Sequence, residues 1–248
     1  MIFNVFLDNL SPVLYDNNWH APLGSRMGIS RKFKFFFIAA CVLFASAASS
    51  EAGVAEGKLV FEAKKCASCH QIEGPAREKT IADQLAKKGP ELWYAGSKFR
   101  EGFLESWLAD PRPIRPLKYN SLTEPNASGH PRLLPAEAAD AAQYLMSLRS
   151  KASGPSGVAA RVNPLGRIIF LKRQSCYGCH TVLNRGNVAG GLSGPTLIGA
   201  SARLNPDWVY AFLSNPKVFK PVKDMPDYAG ILTDAELKAL AGYVCALD

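Results

Sequence analysis

Two segments of the chain have the same reactive spelling, Cys66-Ala67-Ser68-Cys69-His70 and Cys176-Tyr177-Gly178-Cys179-His180. Two thiols one turn apart can each form a thioether to a vinyl group of the same haem, and the histidine that follows falls beneath the iron as its proximal ligand. A zinc ribbon would need its two cysteine pairs within ~15 to 20 residues of each other, whereas these are separated by most of a domain. A dithiol redox motif would need a strand-helix-strand setting, and none is apparent. The spacing therefore predicts two covalently bound haem c groups. Cys66, Cys69, Cys176 and Cys179 form the attachments, and His70 and His180 are the proximal iron ligands.

The elements that must position these groups are also duplicated. Gly57-Lys58-Leu59-Val60-Phe61 precedes Cys66, and Gly166-Arg167-Ile168-Ile169-Phe170 precedes Cys176 with one extra residue in the second copy. Both read as short amphipathic helices leading into the attachment site. Gly89-Pro90 and Gly194-Pro195 follow. Next come apolar helical faces, Phe99, Phe103, Leu104, Trp107 and Leu108 in one half and Trp208, Val209, Phe212 and Leu213 in the other, each stopped by a proline. Each half ends in a helix with capping and acidic signals at its start, one opening at Pro135 and carrying Tyr144, the other opening at Thr233 and carrying Tyr243. No segment alternates convincingly as a strand, so the chain is expected to be all-α.

Length and composition fit a two-domain globular protein: 248 residues, 48% apolar and 20% charged. Residues 53–150 form the first expected domain, 151–162 a Gly/Pro/Ser linker, and 163–248 the second domain. Residues 27–52 read as a signal peptide, with Arg31, Lys32 and Lys34 ahead of the apolar run Phe35 to Ala48 and then small residues. Cleavage after Ala47 or Ala52 is compatible with that pattern, and Ser50-x-Ala52 favours the latter. The run is short of the ~20 residues of a membrane span, so no span is expected in the mature chain. Residues 1–26 sit awkwardly ahead of a basic n-region, which makes them an upstream extension and Met27 an alternative start. Ile38-Ala39-Ala40-Cys41 resembles a lipidation signal, but the apolar run continues past Cys41, which argues against an anchor there. The formal charge is +8. Removing the leader's cations and adding up to four haem propionates lowers the balance to roughly +3, which removes support for nucleic-acid binding. Cys245, in an apolar helix, reads as a buried thiol.

Taken together, the paired attachment sites, the Gly-Pro turns and the terminal helices resemble class I cytochromes c, and their tandem arrangement is similar to the dihaem cytochrome c4 type, over essentially Gly53 to Asp248. The resemblance implies two tandem domains, each wrapped around one covalent haem. It implies that the first and last helices of each half cross closely, with Gly57 and Gly166 permitting approach to Tyr144 and Tyr243. It also implies that the carbonyls of Pro90 and Pro195 accept a hydrogen bond from the proximal histidines, raising ligand basicity. The resemblance further implies haem attachment on the outer side of the cytoplasmic membrane, so the mature chain is expected to be periplasmic.

The sixth ligands are expected to differ. Met225-Pro226 stands where the family places its distal methionine, and Met146, the other methionine beyond the leader, occupies a helical core position. The first half has no methionine in its longer, proline-rich loop from Arg112 to Leu134. There His130-Pro131 aligns with Met225-Pro226, and His130 is the one histidine beyond the leader that is not already a proximal ligand. His130 is the expected distal ligand of haem 1, with an open or exchangeable site, or ligation by Lys118 or Met146, as competing assignments. Thioether sulfur favours ferrous iron and a second imidazole ferric iron, so haem 1 is expected to be the low-potential entry and haem 2 the higher-potential exit.

The resemblance then implies an electron carrier rather than an enzyme, passing single electrons between periplasmic redox proteins. Its partners would include a dehydrogenase or a terminal oxidase or reductase. Lys217, Lys220 and Lys223 could ring the exposed edge of haem 2 and attract an acidic partner, or form an ordinary solvated face. Two other readings stand beside this one: a dihaem electron-accepting subunit of a sulfur-compound-oxidising dehydrogenase, and a dihaem enzyme with a labile site at haem 1.

Overall fold

The computed structural model describes residues 53–118, 121, 123–222 and 225–248. The leader, Lys223 and Asp224 lie outside the described residues. Helices dominate, as the sequence predicts. α1 covers residues 53–63, α2 Ile81–Ala86, α3 Ala95–Lys98, α4 Phe103–Ala109 and α5 Pro135–Ser147. The second half has α6 Pro164–Ile168, α7 Ala200–Arg203, α8 Pro206–Ser214 and α9 Asp234–Val244.

The repeat becomes a repeated helix crossing. A methyl group on Gly57 would lie 1.9 Å from the Asp140 carbonyl oxygen and 2.8 Å from the Tyr144 Cβ, so α1 rests on α5 through a position where only hydrogen fits. In the second half, a methyl on Gly166 would meet the Ala239 carbonyl at 2.2 Å and Tyr243 Cβ at 2.7 Å. Phe61 then packs on Tyr144 with ring centroids 5.4 Å apart, and Phe170 on Tyr243 at 5.5 Å. Local caps hold these helices. Asn163 accepts from the amides of Leu165 and Gly166 at 2.9 and 3.3 Å, and Thr233 and Glu236 form a reciprocal capping box at the start of α9.

The one extra residue of the second copy is absorbed as a π-turn over Ile169–Arg173, in which the Gln174 amide bonds the Ile169 carbonyl. An i to i+5 turn takes in one residue without moving the helix ends. The two attachment segments therefore start alike, from left-handed Lys65 (φ 55°) and Ser175 (φ 47°).

The structure adds an element absent from the expected all-α outline. β1 (Val182–Asn184) pairs antiparallel with β2 (Asn187–Ala189), with Leu183 opposite Val188. Arg185 and Gly186 turn the chain with φ of 53° and 81°, the double left-handed geometry of a tight hairpin. Three-residue strands are too short to show alternation, and arginine at the first turn position hides the turn.

Each half has its own apolar core, but the described residues all belong to one compact unit. Trp93 and Tyr94 leave the first half and join the second core. Trp93 stacks on Phe219 at 5.9 Å, and Tyr94 stacks on Trp208 at 6.0 Å. Backbone bonds also cross the join: Arg100 N–H donates to the Arg203 carbonyl at 3.0 Å, and Asn205 N–H to the Lys98 carbonyl at 2.8 Å. The 151–162 segment runs along the second half, with the Ser156 amide on Asp207 at 2.8 Å and the Arg161 amide on the Gly242 carbonyl at 3.1 Å.

Candidate haem-binding sites

Both Cys-x-x-Cys segments close into one tight turn. Cys69 N–H donates to the Cys66 carbonyl at 3.1 Å and Cys179 N–H to the Cys176 carbonyl at 3.2 Å. The histidine amide reaches the same acceptor in both copies, at 3.1 Å. Two sulfurs and an imidazole thus leave one short turn together, the donor set that a single porphyrin requires.

The proximal rings are fixed alike. His70 Nδ1 lies 2.7 Å from the Pro90 carbonyl oxygen, and His180 Nδ1 lies 2.7 Å from that of Pro195. A carbonyl can only accept, so Nδ1 carries the proton and Nε2 keeps the lone pair for a metal. The glycines preceding these prolines form the cradle: a methyl on Gly89 would lie 2.6 Å from His70 Cε1, and one on Gly194 2.8 Å from His180 Cε1. Burial pushes His70 below the ordinary imidazole range. The Pro90 hydrogen bond opposes that shift, and neighbouring His130 adds to it. A metal-binding imidazole must be neutral, and this environment favours that form.

On the far side of the first site, the long loop brings His130 back. The α4 residue Trp107 donates from its indole nitrogen to the Arg112 carbonyl at 2.8 Å. The Leu133 amide ties the loop's other end to the Leu108 carbonyl at 3.0 Å. Between them, Ser128 and Gly129 (φ 66° and 60°) turn the chain into His130. The His130 ring then stands 6.0 Å from that of His70, centroid to centroid. Its Nδ1 is 2.9 Å from the Pro131 carbonyl, leaving Nε2 as the free nitrogen. Of the competing side chains, Lys118 is an exposed partner of Glu124 at 3.0 Å, and Met146 packs on the first core from the last turn of α5.

In the second site Met225 packs on the second core. Tyr228, three residues on, donates its hydroxyl to the Cys176 sulfur, and burial pushes that phenol up to about 12. The Met225 loop is thereby anchored to the attachment turn.

Residues 54–149 match the family model for cytochrome c, and residues 166–244 match that for subunit III of cbb3-type cytochrome c oxidase. The chain is a dihaem cytochrome c. It carries two cytochrome c domains in tandem and two covalently bound haem c groups, and it works in electron transfer. No curated protein and no solved structure matches the chain. Among the described residues of this cytochrome, no helix is long and apolar enough to cross a membrane.

Of the three lysines that could form either a docking ring or an ordinary solvated face, one is placed differently. Lys220 is not part of an open face: it pairs with the buried carboxylate of Glu91, and its side chain is 15% exposed. Lys223 lies outside the described residues, and Lys217 is exposed. Sequence reasoning missed Glu91, which follows Pro90 directly. A lone acid between proline and leucine carries no signal of its partner, because Lys220 belongs to the other half.

Proposed function

We propose that this cytochrome is a periplasmic carrier of the cytochrome c4 type, in which His70 and His130 ligate haem 1 and His180 and Met225 ligate haem 2. The observation that carries this reading is the 6.0 Å between the His70 and His130 ring centroids. Two imidazoles bound through Nε2 to one metal at about 2 Å have ring centres roughly 6 Å apart. The outward-facing Nδ1 hydrogen bonds of both rings support the same pairing.

Each bound haem supplies one iron that alternates between ferrous and ferric. The chain's own groups set how readily it does so. At the first site two neutral imidazoles, made more basic by the Pro90 and Pro131 carbonyls, favour the ferric state. At the second, Met225 sulfur favours the ferrous state. Electrons would enter at haem 1 and leave from haem 2 toward a periplasmic redox partner. Low-temperature electron paramagnetic resonance of the oxidised protein tests the ligands: one bis-imidazole and one imidazole-thioether signal are expected, and two signals of one kind would refute the assignment.

A second reading, as the haem subunit of a larger oxidase or dehydrogenase, draws on the match of residues 166–244 to an oxidase subunit. Stoichiometric co-purification with a catalytic subunit would favour it, and recovery as a free dihaem protein would favour the carrier.

A further inference from the structure

The residue after each Gly-Pro turn is held by the opposite half. In the second half it is Thr196, whose amide donates to the Ile114 carbonyl at 2.8 Å. Ile114 belongs to the loop that carries His130, and the neighbouring Arg115 guanidinium donates to the Ser193 carbonyl. In the first half the corresponding residue is Glu91. Its side chain is fully buried, and Lys220, from the loop that carries Met225, forms an ion pair with it. Lys87 pairs with the same carboxylate and with Glu78 at 2.9 Å, so two acids and two lysines balance in a nearly dry cluster. The distal-side loop of each half thus grips the proximal-side turn of the other.

We propose that Lys220 is a positioning residue for haem 1, holding Glu91 so that the adjacent Pro90 carbonyl stays on His70 Nδ1. Glu91 has little freedom to move alone, because the Leu92 amide is bonded to the Gln71 carbonyl at 2.7 Å. The turn is therefore a short rigid link between Lys220 and the proximal ring. A buried carboxylate that loses a cation must find another partner or water, and the turn shifts to provide it. Each shift of the Pro90 carbonyl changes how much negative character reaches the His70 ring. The state of the loop bearing Met225 is in this way felt at the other haem, which is a physical basis for coupling between the two sites. The inference rests on the proposed function only for the statement that Met225 and His70 serve different haems.

The test removes the pair without changing net charge. In the double variant Glu91→Gln with Lys220→Gln, the potential of haem 1 is expected to rise and that of haem 2 to stay at the parent value. Exchange of the His70 Nδ1 proton, read by nuclear magnetic resonance, is expected to be at least tenfold faster. Lys220→Arg keeps the pair, and both readouts are expected to stay at the parent values. If the double variant does not load haem, Lys220→Gln alone, which leaves Glu91 its bond to Lys87, is read by the same proton exchange. Parent-like exchange and an unmoved haem 1 potential in variants carrying both haems would overturn the inference. A wrong ligand assignment would show instead in the paramagnetic resonance of the unmodified protein.

Discussion

The His130 imidazole meets the Trp107 indole edge to face, with centroids 4.8 Å apart. That contact joins the loop to α4, and the indole nitrogen is fixed on the Arg112 carbonyl. A side chain held by one aromatic wall and one tight turn can be removed without dismantling the domain core. His130→Ala is therefore expected to leave both haems attached and to open the first site. Ferrous His130→Ala should bind one equivalent of carbon monoxide per chain, while the parent binds none without denaturant. Equal uptake by parent and variant would show that His130 does not occupy the sixth position.

Met225 makes the complementary prediction. Ferric iron bound to thioether sulfur absorbs near the red edge of the visible spectrum, and one haem of the two should contribute that band. Met225→Ala is expected to abolish it and to lower the potential of haem 2, because the ferrous state loses its preferred ligand. A redox titration followed by absorbance checks both, and the potential of haem 1 should move far less.

The crossing glycines predict stability. A methyl at Gly57 or Gly166 would run into backbone carbonyl oxygen at 1.9 or 2.2 Å, and backbone cannot swing aside as a side-chain tip can. Gly57→Ala and Gly166→Ala are each expected to cost about 3 kcal/mol, the upper part of the overpacking range. The midpoint of thermal unfolding should fall by at least about 5 °C. Gly154→Ala, where a methyl would meet nothing within 4 Å, is the control and should melt like the parent.

Much of this architecture was legible because it is local or repeated. The attachment turns, the Gly-Pro segments and the glycine crossings recur in both halves, and the π-turn at Ile169–Arg173 accounts for the one-residue mismatch between them. What escaped was non-local. Lys220 reads as a surface cation until Glu91 is brought against it from the other half. Trp93 and Tyr94 read as part of the first domain, although their rings lie in the second core. The hairpin at 182–189 was hidden because Arg185 adopts a backbone conformation more usual for glycine or asparagine.

Cys245 supplies a prediction with a pH sign. Its thiol is 1% exposed at the end of α9, and burial pushes it up to about 12 from 9.0, a rise that nearby Arg100 only partly offsets. With the other four thiols of the described residues engaged in thioethers, iodoacetamide at pH 8 should leave Cys245 of the folded protein unmodified and alkylate it after denaturation. A thiol that ionises later in the folded state than in the unfolded one leaves stability intact below pH 9 and erodes it as pH climbs toward 12. The unfolding free energy should therefore decline above pH 9, and Cys245→Ala should flatten that decline when both proteins are unfolded in urea across the range. An equally steep fall in the variant would place the alkaline sensitivity elsewhere.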